Sequence, residues 1–277
     1  MISGKAKLAG ILGWPVGHSK SPRLHNHWLA LHGLDGAYVP LPVAPSDLAE
    51  AVRMLPRLGF VGGNVTVPHK EAVLDLIDEV DPLAARIGAV NTLVIGSDGR
   101  ISGRNTDAVG FLLNLKENPR YRSESGPAVV LGAGGAARAA CAALIEDGAP
   151  EIRLVNRSLD RARHLAADLG GPIVPIDWAG REESLENAAL LVNSTSLGMT
   201  GQPPLDLVLN RLPETALVND LVYAPLETAL LEAARARGNP AVDGIGMLLH
   251  QARPGFAAWF GVMPEITPDI RAMMLAP

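Results

Sequence analysis

The run GAGGAA at residues 132–137 lies between an apolar segment with the pattern of a buried strand, 128–131, and an Ala-rich segment with the pattern of a helix. Glycines in such a turn let backbone N–H groups approach a pyrophosphate, and the amino end of the following helix adds a favourable dipole. The alternative, a plain connection between strand and helix, is disfavoured by the strand–turn–helix–strand pattern around the turn. The candidate phosphate-binding residues are Gly132, Ala133, Gly134, Gly135 and Ala136.

The next predicted strand, 151–155, ends at Asn156-Arg157-Ser158, where a chain that binds NAD usually carries Asp or Glu. Without that acid, and with Arg157 and Arg161 nearby, the site favours a ribose 2′-phosphate over a free 2′-hydroxyl. On a helix, residues with this spacing share one face and can hold one phosphate from two sides. The residues therefore predict NADP as the cofactor, although Arg161 is also compatible with a solvated helix position.

Polar clusters follow or precede the predicted strands in the first part of the chain. They are residues 18–22 (HSKSP), 64–70 (NVTVPHK), 91–92 (NT) and 103–107 (GRNTD). In an open α/β sheet, ligands bind beyond the carboxyl ends of the strands. The clusters offer hydroxyls, amides, a cation and a carboxylate, which suits a small polyhydroxylated ligand that could be anionic. No spacing predicts a metal site, and we expect hydrogen-bonding or structural roles for the histidines His18, His69 and His250.

Strand and helix patterns alternate along the chain and predict an α/β protein. In the first part, Ser21 and Pro22 look like the N-cap and first residue of a helix. The other predicted elements there are strands 7–12, 37–41, 60–67 and 89–95, and helices 24–32, 46–58 and 70–80. The Rossmann-like part has strands 128–131, 151–155, 173–176, 190–193 and 216–219, and helices 107–116, 135–147, 158–169 and 226–237, followed by a helical pattern over 246–260.

Composition bounds the class of protein. The 277 residues are enough for roughly two domains, and 48% hydrophobic with 19% charged residues is an ordinary globular composition. A net charge of −5 argues against a general nucleic-acid binder. The single cysteine, Cys141, cannot form an internal disulfide or a zinc cluster. We find no secretory signal and no membrane-spanning apolar stretch, and therefore expect a cytoplasmic protein.

Taken together and in order, the motifs resemble the shikimate dehydrogenase family over nearly the whole chain. They are residues 19–22 (SKSP), 64–70, 88–92 (GAVNT), 105–107 (NTD), 132–136, 156–158 (NRS), 193–196 (NSTS), 220–223 (DLVY) and 243–247 (DGIGM), with Gln251. The resemblance implies an α/β fold of two domains. A substrate domain with a mostly parallel sheet would comprise 1–106 plus 246–277, with the C-terminal helices returning to it, and a Rossmann-like NADP-binding domain would comprise 107–245.

The family's reaction is the reversible reduction of 3-dehydroshikimate to shikimate by NADPH, a step in aromatic amino-acid biosynthesis. The resemblance implies that Lys70 is the general acid/base and that Asp107 is its partner. A cation hydrogen-bonded to the carbonyl oxygen would stabilise the charge that develops there and exchange the proton. The alternatives are a solvated lysine at a helix start for Lys70 and an N-cap for Asp107.

The resemblance also assigns residues to the two ligands. Hydroxyls of Ser19 and Ser21 would hold the substrate carboxylate. The other substrate ligands would be Thr66, Asn91, Tyr223 and Gln251. On the nicotinamide side of the cofactor they would be Thr195, Leu221 and Gly244. Purely structural roles are the alternatives for these residues. Among the substrate ligands they are a helix cap for Ser21, strand packing for Thr66, a local cap for Asn91, a core aromatic for Tyr223 and an exposed helix position for Gln251. On the nicotinamide side they are a loop hydroxyl for Thr195, a core leucine for Leu221 and a turn glycine for Gly244.

Two departures from the family pattern, Ala224 and Ala229, leave the loop geometry near Tyr223 open. Two other functions also compete. One is a quinate or aminoshikimate dehydrogenase on the same frame. Some quinate-oxidising relatives favour NAD and carry an acid near the strand end and a threonine in place of Ser21, so Arg157 and Ser21 favour NADP and shikimate. A non-catalytic dinucleotide sensor would not need Lys70 with Asp107. The sequence leaves the oligomeric state open between a monomer and a homodimer.

Overall fold

The computed structural model describes residues 2–276. The chain forms two compact units: unit 1 comprises Met1–Thr106 and Leu248–Pro277, and unit 2 comprises Asp107–Met247. Among the described residues, no helix is long and apolar enough to cross a membrane.

The described residues of unit 1 form a six-stranded sheet in the order β2-β1-β3-β5-β6-β4. Its strands are β1 (Lys7–Gly13), β2 (Gly36–Pro42), β3 (Phe60–Val65), β4 (Glu79–Val80), β5 (Thr92–Ile95) and β6 (Ile101–Arg104). β1 runs parallel to β2 and β3, and β4 runs parallel to β6, whereas β5 is antiparallel to both of its neighbours. The sheet is therefore mostly parallel, as predicted, with one reversed strand.

Helices accompany this sheet. They are α1 (Ser21–Leu31), α2 (Leu48–Met54), α3 (Pro82–Ile87), the last turns of α8 (Ile245–Phe260), and α9 (Pro268–Leu275). One core packs Leu48 and Val52 of α2 against Leu12, Val65 and Leu93 of the strands. A second, aromatic cluster joins Trp28 of α1 and Tyr38 of β2 to Phe256 and Trp259 of α8 around the ring of His25. Since α8 begins in unit 2, it carries the chain back into unit 1.

The predicted helix over 70–80 is wrong. Only Ala72–Leu76 coils, as a 3₁₀ segment, and the chain then extends into β4. The N–H of Asp78 donates to the carbonyl of Ile101 (3.0 Å), and the Asp78 carboxylate accepts from the N–H of Ile101 (2.8 Å). Pairing with the strand that begins at Ile101 therefore overrides a local helical pattern.

Unit 2, all of whose residues are described, contains a parallel six-stranded sheet in the order β12-β11-β10-β7-β8-β9. Its strands are β7 (Ala128–Leu131), β8 (Ile152–Asn156), β9 (Ile173–Asp177), β10 (Leu190–Asn193), β11 (Leu217–Asp220) and β12 (Ala241–Val242). The central strands are buried along their whole length, which explains their continuous apolar runs. The five strands predicted for this part match β7 to β11 to within one residue.

Four helices connect the strands of unit 2 in the predicted places. They are α4 (Asp107–Lys116), α5 (Gly135–Glu146), α6 (Leu159–Leu169) and α7 (Ala229–Ala236). The first strand of the unit, β7, lies between β10 and β8. The strand order therefore reverses between β7 and β10, and in such sheets ligands bind beyond the carboxyl ends of the strands at this point.

Candidate functional site

The glycine turn of unit 2 follows β7 and leads directly into α5. Gly132 has φ +105°, and a Cβ there would lie 3.0 Å from Oγ of Ser194 and 3.1 Å from Cγ2 of Thr195. Both conditions require glycine. A Cβ on Gly134 would meet no atom within 4 Å, so the turn's outer side is open. Because α5 has no side-chain cap and no acid in its first turn, its free N–H groups can receive an anion.

Both arginines of the predicted 2′-phosphate site are exposed. Arg157 directly follows β8 and precedes the N-cap of α6, whereas Arg161 lies in α6, so the prediction that they share one helical face is wrong. Ser158 caps α6 by accepting from the N–H of Arg161 (3.4 Å), and Nδ2 of Asn156 donates to the Ser158 carbonyl (2.9 Å). The acid between the two arginines in sequence, Asp160, pairs with Arg163 instead (3.2 Å). Among residues 2–276, the guanidinium groups of Arg157 and Arg161 have no hydrogen-bonding or ionic partner, which leaves both cations available to a ligand.

The predicted nicotinamide-side residues lie on loops that contact each other within unit 2. Thr195 Oγ1 donates to Oδ1 of Asn193 (2.7 Å), and the N–H of Leu221 donates to the carbonyl of Asn193 (2.9 Å). A Cβ on Gly244 would lie 2.4 Å from the Leu221 carbonyl oxygen, so this position admits only glycine. Close by in sequence, burial raises the pKa of the Tyr223 phenol.

Unit 1 holds a buried cluster of amides and hydroxyls at Asn91. Its Nδ2 donates to Oγ1 of Thr106 (2.9 Å) and to Oε1 of Gln251 (3.2 Å). Its Oδ1 accepts from the N–H of Thr106 (2.8 Å) and from Oγ1 of Thr92 (3.0 Å). Asn64 joins the cluster through Nδ2, which donates to Thr92 Oγ1 (3.2 Å). Residues from four distant parts of the chain, including Gln251 of α8, therefore form one network.

Thr66 and Lys70 follow β3 within the same unit. A Cβ on Gly13 would lie 2.5 Å from Cγ2 of Thr66, so the threonine packs directly on the end of β1. The backbone of Lys70 is held by the N–H of Val90, which donates to its carbonyl (2.8 Å). Between them, His69 is buried, and its Nε2 is hydrogen-bonded to the Val43 carbonyl (2.8 Å). The segment 66–70 is thus anchored at both ends, while Lys70 itself stays half-buried.

The two serines lie at the start of α1, where the predicted cap is wrong by one residue. Lys20 occupies the N-cap position without a side-chain cap, and Ser21 is the first helical residue. The Ser21 side chain is buried and hydrogen-bonded to the Tyr38 phenol, while Ser19 Oγ accepts from the N–H of Ser21 (3.3 Å). The Ser21 hydroxyl is therefore not used as a cap.

Tyr38 is a residue that sequence reasoning did not single out. Its hydroxyl donates to Oδ1 of Asn64 (2.6 Å), and it thereby joins Ser21 to the cluster at Asn91. Burial raises its pKa well above the usual value, so the phenol stays protonated. Tyr38 lies in the middle of a predicted strand, where a purely structural core aromatic has the same sequence pattern. The sequence therefore does not reveal its place in the polar network.

Asp107 is buried and begins α4, the first element of unit 2. It follows Thr106, whose N–H and hydroxyl both contact Asn91 in unit 1. A carboxylate in the first turn of a helix is favoured by the helix dipole. Because Asp107 is the first helical residue of α4, it does not occupy the N-cap position that the sequence offered as an alternative.

Comparisons with known proteins agree with the two-part sequence pattern. Residues 11–93 match the family model described as shikimate dehydrogenase substrate binding domain, and residues 116–199 match that of shikimate / quinate 5-dehydrogenase. A shikimate dehydrogenase (NADP(+)) from Paramagnetospirillum magneticum is 64% identical over 276 residues, which cover 99% of this chain and 100% of the relative.

Solved structures share the whole fold. A shikimate 5-dehydrogenase from Thermus thermophilus, in complex with NADP(H) and shikimate, superposes with a TM-score of 0.85 at 39% identity, covering 97% of each chain. A quinate dehydrogenase from Corynebacterium glutamicum, in complex with NAD, has a TM-score of 0.88 at 32% identity, again over 97% of each chain. The resemblance drawn from the motifs is thus confirmed from end to end: the chain belongs to the shikimate dehydrogenase family.

Proposed function

We propose that this protein is an NADP-dependent oxidoreductase that reversibly reduces 3-dehydroshikimate to shikimate, a step of aromatic amino-acid biosynthesis in the cytoplasm. The observation that carries the proposal is the 64% identity with an NADP(+) shikimate dehydrogenase across essentially the full length of both chains. The geometry supports it because each group that the reaction needs has a candidate. Sedimentation of the purified chain distinguishes a monomer from a homodimer.

For the chemistry, Lys70 is the general acid/base and Asp107 is its partner. When bound, NADPH supplies the hydride. The Lys70 ammonium donates a hydrogen bond to the substrate's carbonyl oxygen, stabilises the negative charge that develops there, and gives up its proton. In the reverse direction, the amine takes the proton from the hydroxyl. Asp107 orients the amine and takes part in its proton exchange.

For the substrate, the proposed ligands provide both hydroxyls and amides. Ser19 and Ser21 bind the carboxylate from the start of α1. The other ligands of the carboxylate or ring hydroxyls are Thr66, Asn91, Tyr223 and Gln251. The buried cluster around Asn91 supports this role, because its hydrogen bonds hold the amides of Asn91 and Gln251 in one fixed orientation.

For the cofactor, the fit rests on features of unit 2. The open turn Gly132–Ala136 and the uncapped amino end of α5 suit the pyrophosphate. Arg157 and Arg161, with Asn156, suit the 2′-phosphorylated adenosine, since no acid at the end of β8 would repel it. Thr195, Leu221 and Gly244 are assigned to the nicotinamide side. We accordingly propose 107–245 as the NADP domain and 1–106 plus 246–277 as the substrate domain.

The decisive experiment is a steady-state comparison of shikimate with quinate, each with NADP and with NAD, followed by absorbance of the reduced nicotinamide. We expect the highest kcat/KM for shikimate with NADP. Faster turnover of quinate with NAD would replace this proposal with the activity named for the Corynebacterium relative. Binding of NADP without turnover of either acid would contradict the proposal and indicate a non-catalytic dinucleotide sensor.

A further inference from the structure

Asp220, at the end of β11, is a carboxylate buried to 1% exposure. It has no cationic partner among residues 2–276. Three neutral donors surround it: Oδ1 accepts from Nδ2 of Asn193 (2.9 Å) and from the N–H of Val222 (3.0 Å), and Oδ2 accepts from Oγ1 of Thr228 (2.7 Å). Burying an unpaired carboxylate is costly, and burial raises the pKa of this one above its usual value despite the three bonds.

The three donors belong to three different segments of unit 2. Asn193 ends β10 and begins the loop 194–198, Val222 lies in the loop after β11, and Thr228 is the N-cap of α7. A further bond runs from the N–H of Thr200, two residues beyond the loop 194–198, to the carbonyl of Ala224 in the loop after β11 (2.8 Å). Asp220 is therefore the common acceptor of the segments that carry Thr195, Leu221 and Tyr223.

An acceptor-only group also fixes the orientation of Asn193. Because a carboxylate cannot donate, the Nδ2 of Asn193 must face Asp220, and its Oδ1 must face the loop. That oxygen receives both the N–H (3.1 Å) and the hydroxyl (2.7 Å) of Thr195, while Nδ2 also donates to the Leu197 carbonyl (3.1 Å). The Thr195 hydroxyl is thereby held as a donor to Asn193, and its oxygen accepts a hydrogen bond from the N–H of Leu197. An amide at position 220 would remove this constraint.

We propose that Asp220 is a positioning residue of the cofactor site, which fixes the Asn193 amide and holds the loops 194–198 and 221–228 together so that Thr195 and Leu221 form one nicotinamide-side surface, with Tyr223 on the same loop as Leu221. This positioning role rests on the proposed function, because the roles of Thr195, Leu221 and Tyr223 are part of that function. It goes beyond the sequence-based assignment, which gave Asp220 no role, because Asp220 would act through Asn193, Val222 and Thr228.

The test uses Asp220→Asn in the full-length enzyme, with two cofactor probes. Adenosine 2′,5′-bisphosphate occupies only the adenosine end, next to Arg157, whereas NADP also reaches the nicotinamide side. Loss of a hydrogen bond to a charged group corresponds to roughly 10- to 100-fold. We expect NADP binding and kcat to fall by about that factor, while the affinity for the bisphosphate stays at the wild-type value.

Matched variants separate positioning from stability. Thr228→Val removes one donor to Asp220 and should weaken NADP in the same direction, whereas Thr228→Ser keeps the hydroxyl and should restore binding. Asn239→Ala serves as the control, because Asn239 is equally buried in unit 2 but donates only to the carbonyls of Pro213 and Ala216 (2.8 and 3.0 Å). It should lower the melting temperature without changing kcat.

The outcomes are distinguishable. If the wild-type protein does not oxidise shikimate with NADP, the proposed function itself fails. If it does, and Asp220→Asn either keeps wild-type NADP affinity and kcat or loses bisphosphate binding equally, the positioning role is overturned. Should Asp220→Asn fail to fold, binding of NADP and of the bisphosphate by Thr228→Val tests the positioning role instead. This substitution leaves Asp220 in place and removes only the hydroxyl that donates to it.

Discussion

Lys70, the proposed acid/base, has a backbone that is held firmly on both sides. Its carbonyl accepts from Val90, and its neighbour His69 is locked to Val43. The side chain is therefore presented from a fixed base rather than from a mobile loop, which is what an acid/base group needs in order to meet one oxygen repeatedly.

Replacing Lys70 by Ala should lower kcat by ~10²–10⁴-fold, the usual cost of a lost acid/base group. Binding of NADP, measured by titration calorimetry, should not change, since the proposed cofactor residues lie in unit 2. Lys116→Ala is the control, because Lys116 forms only a surface ion pair with Asp147 (2.5 Å). Near-normal turnover by the Lys70 variant would remove this residue from the mechanism.

Arg157 governs the choice of cofactor in our proposal. Its guanidinium is exposed and has no partner among the described residues, so Arg157→Ala should cost no stability. A lost charge-assisted bond to the 2′-phosphate should raise KM for NADP by about tenfold or more, with KM for NAD unchanged. Arg163→Ala, in the helix α6 that follows Arg157 but paired with Asp160, should change neither value. An equal rise for both cofactors would show that Arg157 does not recognise the 2′-phosphate.

At the end of β1, Gly13 packs closely against a proposed substrate ligand, Thr66. Gly13→Ala would place a methyl carbon 2.5 Å from Cγ2 of Thr66, so the threonine or its strand end has to shift. We expect a higher KM for shikimate with unchanged binding of adenosine 2′,5′-bisphosphate. Gly17→Ala, in the loop that follows β1, meets no atom within 4 Å and should behave like the wild type. Wild-type kinetics in Gly13→Ala would mean that the position of Thr66 is not important.

The elements of unit 2 could be predicted from the sequence because its strands are short apolar runs separated by glycine turns and capped helices. The same reasoning failed in unit 1 over 70–80, where pairing of Asp78 with Ile101 decides the conformation. It also passed over α3, although Asp81 and Pro82 carry an N-cap and first-turn signal. A helix of six residues is too short to show a hydrophobic period.

For the candidate site, the sequence predicted residue types near strand ends but not their connections. The contact of Asn91 with Gln251 spans 160 positions, and no local pattern contains it. Tyr38 and Asp220 are similar cases, since each is hydrogen-bonded to partners that only the folded chain brings together. Long-range polar contacts of this kind follow from topology rather than from propensity.

At the scale of the whole molecule, each unit contains its own buried polar network: Asn64, Asn91 and Thr106 in unit 1, and Asn193 and Asp220 in unit 2. Such networks stabilise a unique packing only when their members are satisfied. His25 is an exception in unit 1, because it is fully buried and neither of its ring nitrogens has a hydrogen-bond partner. Its ring is instead stacked on Tyr38, with centroids 4.1 Å apart.

This histidine should make global stability depend on pH. Burial lowers the pKa of His25 from 6.5 to about 3, so the folded protein holds the ring neutral while the unfolded chain protonates it below about pH 6.5. The contribution is complete above that pH and is lost as the pH falls towards 3. The slope is about 1.4 kcal/mol per pH unit, which amounts to ~2.7 kcal/mol at about pH 4.5.

His25→Phe keeps an aromatic ring among Trp28, Tyr38 and Phe256 and removes both unpaired nitrogens. Urea unfolding of both proteins between about pH 4.5 and 7 should give a smaller loss of stability in the variant, with the difference close to the value expected for one proton. Because carboxylates titrate in both proteins, only the difference between the two pH profiles reports on His25. Parallel profiles would mean that the imidazole is protonated, or reaches water, in the folded state.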